Sequence, residues 1–316
     1  MRYQFIQKYN AQFPLLALCR VMRVSPSGYR AWQTRPLSAR QQQERRLLAH
    51  IRAAHKQSQG SYGSPRIQQE LKGQGIPCGR HRIARLMRRH GITAQPLRRF
   101  AVTTDSAHAL PVALNRLGQN FRVERPNTAW SADITYLWTD EGWLYLAVVL
   151  DLWSRRVIGW SLRKSVDRTL VIAALEGALS QRRPSTGLIC HSDRGSQYAS
   201  GDYQARLRQA GALCSMSRKG NCYDNAPVES FFASLKRELI HRTSFATRKE
   251  ARLAVFEWIA VWYNRKRRHS SLGYLSPEQF EKQFEKQVER QHQQHNQLRM
   301  NQSEPNNLTE PMRQAA

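Results

Sequence analysis

Hydrophobic and polar positions alternate through the middle of the chain in the manner of β-strands. In residues 130–138 (WSADITYLW), Trp, Ala, Ile, Tyr and Trp occupy every second position, and Asp133 lies on the more polar face. Residues 143–151 form a continuous apolar run, which is typical of a central buried strand. Residues 155–162 follow after a short turn. Three successive strands predict an antiparallel meander.

Further elements after the meander predict an α/β fold with a mixed five-stranded sheet flanked by helices. The spacing of leucines and alanines predicts a helix over 168–182. The remaining predicted elements are strands at 187–193 and 212–217 and helices at about 199–210, 227–241 and 247–264.

The first hundred residues have helical spacing instead. Residues 13–36 predict two short helices separated by a Ser-Pro-Ser-Gly turn, and residues 38–58 predict a longer polar helix. Residues 61–92 predict two helices around a glycine-rich turn, which is the helix-turn-helix layout. The N-terminal region is therefore expected to be all-α.

These patterns set the expected domain boundaries. A short helical segment (1–36) precedes a helix-turn-helix region (37–100), a linker (101–125) and the α/β domain (126–280). Residues 281–316 are rich in Gln and Asn, and we expect a polar, partly disordered tail there.

The charge of the chain points to a nucleic-acid partner. The formal net charge is +27, and residues 1–110 hold 20 Lys and Arg against 3 acids. Such an excess is neutralised by phosphate, with release of condensed counterions. An anionic membrane surface is a weaker alternative, because the basic residues do not lie opposite a long apolar helix face. With no long apolar stretch, no signal peptide and five dispersed cysteines, we expect a cytoplasmic protein without a zinc site; the family resemblance described below implies a bacterial, nucleoid-associated one.

Two basic clusters are candidate DNA contacts. The second helix of the helix-turn-helix supplies Arg80, Arg82, Arg85, Arg88 and Arg89. A helix of this kind fits docking in a DNA groove, although a solvated basic face is the simpler alternative. The second cluster lies near residue 267, and we expect its arginines to bind phosphate: Arg265, Arg267 and Arg268.

Three acids are candidate metal ligands. Asp133 lies in the first strand, Asp193 ends a later strand, and Glu229 lies in the first turn of a long helix. Clustered carboxylates hold Mg²⁺ or Mn²⁺, and a pair of such ions can activate an attacking oxygen and stabilise a leaving one. Each acid also has an ordinary structural role open to it, and Asp151 and Asp224 are weaker competitors.

The motifs around these acids resemble those of the integrase-core transposases with an Asp-Asp-Glu triad. More narrowly, the chain is similar to the OrfB-type catalytic protein of the bacterial insertion-sequence-three group over about residues 10–280. The matching motifs are WSADITY (130–136), HSDRGSQY (191–198), NCYDNAPVESFFASLK (221–236) and YNRKRRHSSLGYLSP (263–277).

This resemblance implies a ribonuclease H-like catalytic domain and a triad of Asp133, Asp193 and Glu229 with the family's 35-residue spacing intact between the last two. It implies metal-dependent cleavage of double-stranded DNA at transposon ends and strand transfer, with two Mg²⁺ ions and Mn²⁺ as a substitute. A homo-oligomer on DNA, and a frameshift fusion with an upstream frame carrying a further helix-turn-helix and a leucine zipper, are the partners it implies.

Lys236 is a further candidate for the site. It lies seven residues after Glu229, which is two helical turns, so the two side chains share a face. The resemblance also places a basic residue at this offset. We therefore expect Lys236 to contact DNA, with a solvated lysine or an ion pair to Glu238 or Glu229 as the alternative. For the whole chain, the alternatives to a transposase are a non-catalytic DNA-binding regulator and a metal-dependent nuclease without strand transfer.

Overall fold

The computed structural model describes residues 1–94, 110–218 and 222–302. The chain divides into two compact units, Met1–Thr93 and Ala94–Ala316. The end of the predicted helix-turn-helix region, the first part of the predicted linker and the end of the predicted tail lie outside the described residues. Within those residues, no helix is long and apolar enough to cross a membrane.

The first unit is entirely helical, as predicted. Its elements are α1 (Arg2–Tyr9), α2 (Leu15–Val21), α3 (Pro26–Thr34), α4 (Ala39–Gln57), α5 (Ser64–Gly73) and α6 (Arg80–Arg89). Helix α5 ends where Gly75 adopts a φ of 74°, and Gly91, with a φ of 63°, follows α6. Both angles lie in the left-handed region that glycine adopts without strain, so glycine fixes the ends of both helices.

The second unit contains the predicted mixed sheet. Its strands are β1 (Ala129–Thr139), β2 (Gly142–Asp151), β3 (Val157–Arg163), β4 (Ile189–Ser192) and β5 (Leu213–Met216), in the order β3-β2-β1-β4-β5. The first three strands form the expected antiparallel meander, and β4 and β5 run parallel to β1. The helices are α7 (Arg168–Arg182), α8 (Ser196–Ala199), α9 (Gly201–Gln209), α10 (Ala226–Glu238), α11 (Arg248–Phe256), which continues as a π-helix over Glu257–Tyr263, and α12 (Pro277–Gln302).

Each face of the sheet has its own apolar layer. Helices α7 and α9 cover one face, where Trp130 and Ala132 are buried. Helices α10 and α11 cover the other, where Leu137 is buried. Close packing of α7 on the sheet requires a glycine at position 159 of β3, because a Cβ there would collide with the carbonyl of Ala174. Since side chains alternate along a strand, Asp133 shares its face with Leu137 and lies on the α10 side.

The predicted linker does not extend over residues 110–125, although these residues are irregular as expected. Leu117 is buried in a cluster with Ala129 and Leu152. The Arg116 amide donates to Ser215 Oγ at 2.9 Å. This segment is therefore packed on the α/β unit, and its apolar and polar anchors explain why it cannot act as a free spacer.

The predicted boundary at residue 281 is also wrong, because α12 begins before it and runs past it. Phe280 and Phe284 lie against Trp153, with ring centroids 4.8 Å apart in each case. Glu281 is buried and forms ion pairs of 2.5 Å with Arg156 and Arg182. These contacts make the first turns of α12 part of the α/β unit.

Candidate active site

The register of β1 and β4 places two aspartates side by side. The parallel pairing ends with Ala132 opposite Ser192. Asp133 and Asp193 are the residues that directly follow this pair along β1 and after β4. Neighbouring strands lie about 4.8 Å apart. The Ile134 amide donates to Asp133 Oδ1 at 2.7 Å, and the Gly195 amide donates to Asp193 Oδ1 at 3.0 Å. Local backbone bonds therefore orient both carboxylates.

Helix α10 brings the third acid to the same place. Asn225, the N-cap residue of α10, is buried, bonds to Ser131 Oγ and donates to the Ala132 carbonyl at 3.2 Å. The start of α10 is therefore fastened to β1 directly before Asp133. Glu229 follows in the first turn of α10. Nothing in the sequence pattern identified Asn225 as this fastening residue.

The electrostatics indicate that Asp193 and Glu229 each lie near Asp133. Burial raises the pKa of Asp133 well above its ordinary value, and the charges of Asp193 and Glu229 raise it further. The Ile134 amide and the ammonium of Lys236 act in the opposite direction. Burial alone raises the pKa of Glu229. The site therefore disfavours three negative charges unless a cation compensates them.

Lys236 lies at the edge of this site, next to an exposed aromatic cluster. Its Nζ is 5.2 Å from the ring centroid of Tyr136. Burial lowers the pKa of Lys236, and the nearby charge of Asp133 raises it. Tyr136, Trp138 and Trp143 are 37%, 55% and 45% exposed and pack edge to face. The alternation of β1 places Tyr136 and Trp138 on its more apolar face, but the end of the β1–β2 hairpin leaves both at the surface.

A buried tyrosine lies behind the aspartates. The charges of Asp133 and Asp193 raise the pKa of Tyr198, in addition to the larger effect of burial. Among the described residues its hydroxyl has no hydrogen-bond partner. Across those same residues, no three His, Cys, Asp or Glu side chains already converge on one ion position. The arrangement therefore shows carboxylates that share one electrostatic environment, not a finished coordination sphere.

The weaker competitors Asp224 and Asp151 have structural roles, and so does His191, two residues before Asp193. His191 is buried between Ser215 Oγ at 2.9 Å and Ser217 Oγ at 3.2 Å. Asp224 is buried and bonds to Arg218, Asn115 and Gln119.

Asp151 also serves the fold. It is buried and accepts backbone bonds from Asn127 and Trp153 at the turn after β2. The contacts of these three residues fix loops around the sheet.

The basic helix α6 keeps most of its arginines at the surface. Arg80, Arg88 and Arg89 are exposed, and Arg82 is half-buried. Arg85 lies 3.0 Å and Arg89 3.8 Å from the Glu44 carboxylate of α4. Glu44 therefore anchors one side of α6 within the first unit.

The second basic cluster is only partly at the surface, and the expectation for Arg267 is wrong. Its side chain is 3% exposed and bonds to Glu238, with a shortest distance of 2.9 Å, and to Ser234 Oγ at 3.0 Å. Buried in an ion pair, this guanidinium cannot reach a phosphate. Arg268 is half-buried and donates to the Tyr274 carbonyl at 3.1 Å, whereas Arg265 is 64% exposed and lies 3.5 Å from Glu278.

Family models match both units of the chain. Two models described as integrase core domain match residues 123–222 and 210–277, and one described as HTH-like domain matches residues 42–100. The mixed five-stranded sheet with helices on both faces is the ribonuclease H-like fold of the integrase core.

Two relatives with similar sequences are products of insertion elements. Transposase InsF for insertion sequence IS3A of Escherichia coli (strain K12) is 49% identical over 283 residues, which cover 89% of this chain and 98% of the relative. The insertion element IS600 uncharacterized 31 kDa protein of Shigella sonnei is 45% identical over 265 residues, covering 84% and 97%.

Among solved structures, the simian T-cell lymphotropic virus intasome with PP2A regulatory subunit B56 gamma gives a TM-score of 0.43 at 15% identity, covering 79% of this chain and 75% of that one. The HTLV-2 integrase catalytic core domain with magnesium gives 0.39 at 18% identity, covering 50% and 99%. Identity to the InsF transposase over nearly its full length decides the assignment: this chain belongs to the IS3 family of insertion-sequence transposases.

Proposed function

We propose that Asp133, Asp193 and Glu229 are the catalytic carboxylates of this transposase and hold its divalent metal ions. The register carries the proposal, because Asp193 directly follows the residue that pairs with Ala132. The charge of Glu229 also acts on Asp133. These are three oxygen ligands in a partly buried place, which is the donor set that Mg²⁺ prefers.

The proposed cofactor is a pair of Mg²⁺ ions, with Mn²⁺ as a substitute. When bound, such a pair supplies Lewis acidity at the attacking and leaving oxygens of a phosphodiester. The three carboxylates would bind the ions and balance their positive charge. The amides of Ile134 and Gly195 keep Asp133 and Asp193 oriented. Asn225 holds the start of α10, and with it Glu229, against β1.

The reaction is end cleavage followed by strand transfer. Water hydrolyses a phosphodiester at the transposon end and frees a 3′-hydroxyl. That hydroxyl then attacks a phosphodiester of the target in line and displaces the target's own 3′-oxygen as a hydroxyl, without a covalent enzyme intermediate. Lys236 neutralises a phosphate of the DNA strand that enters beside Tyr136. The exposed arginines of α6, with Arg265, contact backbone phosphates.

Two partnerships belong to this proposal. The transposase acts as a homo-oligomer on the two DNA ends, because each end needs its own set of carboxylates. A fusion to the product of an upstream frame, with a further helix-turn-helix and a leucine zipper, supplies additional DNA binding and pairing.

Amide substitutions test the site. Asp133→Asn, Asp193→Asn and Glu229→Gln should each abolish end cleavage and joining in Mg²⁺, weaken Mn²⁺ binding measured by titration calorimetry, and leave affinity for end DNA within about twofold. Asp140→Asn is the matched control, since Asp140 is an exposed acid of the β1–β2 turn. An amide variant that joins ends at the wild-type rate removes that residue from the site.

The same assay separates the other functions. Cleavage by the wild type without joined product would indicate a nuclease. Binding without any metal-dependent nicking would indicate a DNA-binding regulator.

A further inference from the structure

Two short helices near the N-terminus have the geometry of a separate helix-turn-helix. Helix α2 has 7 residues and α3 has 9, and the four residues Met22–Ser25 join them. The amides of Met22, Arg23 and Val24 bond back to carbonyls of α2 at 2.9, 3.1 and 3.0 Å. In the helix-turn-helix motif, a turn of three or four residues likewise joins the two helices.

The turn is held at both ends. Arg23 adopts a φ of 52°, which reverses the chain after α2. Ser25 then caps α3 by accepting the Gly28 amide at 3.0 Å, and Pro26 occupies the first turn. The direction of α3 relative to α2 is thus fixed by local bonds.

A small core of its own holds α3 in place. Ile6, Leu18, Cys19 and Tyr29 are buried together. Gly28 lies directly beneath the Tyr3 hydroxyl, where a Cβ would be 2.7 Å from the oxygen. Helix α1 is therefore the supporting third helix of this group.

The outward face of α3 is small and polar. At about 100° per residue, Ser27, Arg30, Ala31 and Thr34 lie within an arc of about 100°, on the side away from Tyr29. All four are exposed. Short side chains allow the helix backbone to approach another surface closely, and Arg30 supplies a cation at the edge of that face.

Charge identifies the chemistry of the surface that this face fits. Residues 1–36 contain six Lys or Arg and no Asp or Glu. A closely approachable helix among uncompensated cations is complementary to the DNA major groove, which admits one α-helix. The large apolar side chains exposed in this region lie on or before α2 and not on this face of α3: Met1, Phe5, Phe13, Leu16 and Val21.

We propose that residues 15–34 are a second DNA-binding helix-turn-helix, with α3 as the helix that enters the major groove. The HTH-like match begins at residue 42 and does not include this segment. The transposase would then hold one DNA duplex through two successive motifs, which adds binding energy and lengthens the protected sequence without any change at the carboxylates.

Full-length protein and a duplex carrying the terminal sequence of the element test this in buffer without divalent ions, so that the result does not depend on the triad. Arg30→Ala should weaken binding and reduce the log–log salt slope by about 0.9 for one lost phosphate contact. Ala31→Glu places an anion on the groove face and should weaken binding about tenfold or more. Gln7→Glu, with the same charge change on an exposed position of α1, should bind within about twofold of wild type.

Hydroxyl-radical footprinting gives a second measurement. The wild type should protect two neighbouring segments, and Ala31→Glu should lose one of them while far-UV circular dichroism stays unchanged. A footprint and salt slope unchanged in both α3 variants would overturn the proposal. So would an equal loss of affinity in Gln7→Glu, because it would indicate general charge and not the α3 face.

Discussion

Asp133, inside β1, and Asp193, directly after β4, occupy equivalent positions on two parallel strands, because the residues directly before them, Ala132 and Ser192, are register partners. The pairing of β4 with β1 stops there, so both carboxylates lie at the point where the sheet opens. A slip of one residue would turn one aspartate to the opposite face of the sheet. The register of a four-residue strand therefore determines whether the site exists.

The first prediction concerns stability without metal. A raised pKa means that the folded protein disfavours the charged form of Asp133, and this unfavourable contribution is present above the folded pKa and disappears as the pH falls below the unfolded value. Asp133→Asn should therefore raise the melting temperature at pH 7 in EDTA by several degrees. The physical reason is that the raised pKa makes the carboxyl a weaker acid in the folded protein. Each tenfold decrease of its acidity constant on folding costs about 1.4 kcal/mol once the group is charged.

Asp224→Asn is the control of opposite sign. Bonds to Arg218 lower the pKa of the buried Asp224, so its charge stabilises the folded state. Loss of that charge should cost about 2 kcal/mol in the free energy of unfolding. If Asp133→Asn also lowered the melting temperature, the carboxylates would not be in mutual repulsion.

The second prediction concerns Lys236, whose Nζ lies over Tyr136 and near Asp133. Lys236→Ala should weaken end engagement and slow joining about tenfold, with the dependence on Mg²⁺ concentration unchanged, since the residue neutralises phosphate and holds no metal. Gel shift and single-turnover joining measure the two effects.

The comparator for Lys236 is best chosen away from Arg237, because Arg237 lies 3.4 Å from the buried Glu238 and its loss also disturbs the fold. Lys249→Ala, at an exposed position in the first turn of α11, removes the same charge. Equal small effects at 236 and 249 would make Lys236 ordinary surface charge.

The sequence predicted the strands and their order along the chain and singled out the three acids of the proposed site, because period-two alternation and the motifs around the acids are local signals. It did not predict which cations face solvent. Arg265, Arg267 and Arg268 look alike in a charge run, and only the packing of the π-helical segment against α10 decides that Arg267 is inside. The fastening role of Asn225 and the docking of residues 110–125 depend on contacts about 100 residues apart along the chain, which no local pattern encodes.

The third prediction follows from that burial. Arg267→Ala leaves the Glu238 carboxylate in the interior without its main cation, and removal of one partner of a buried pair costs about 3–5 kcal/mol. Urea unfolding should show this loss. The double variant Arg267→Met with Glu238→Leu should recover most of the stability, because it removes both charges.

DNA affinity separates this role from a phosphate contact. Folded Arg267→Met/Glu238→Leu protein should bind end DNA with a wild-type salt slope. A slope lower by about 0.9 would instead assign a phosphate to Arg267.

The last prediction concerns His191, which lies between two serine hydroxyls beneath the site. Burial lowers its pKa to about 4, although the charge of Asp224 acts in the opposite direction. An unfolded histidine titrates near 6.5. Between these values the unfolded chain binds a proton that the folded protein does not. The stability that His191 contributes is therefore present above about pH 6.5 and is lost as the pH falls toward 4. The loss is about 1.4 kcal/mol for each pH unit. The difference in unfolding free energy between wild type and His191→Gln, measured by urea titration from pH 7 to 5, should therefore shrink as the pH falls, since the other titrating groups cancel in the difference. A difference that stays constant over this range would mean that His191 is protonated in the folded protein as readily as in the unfolded chain.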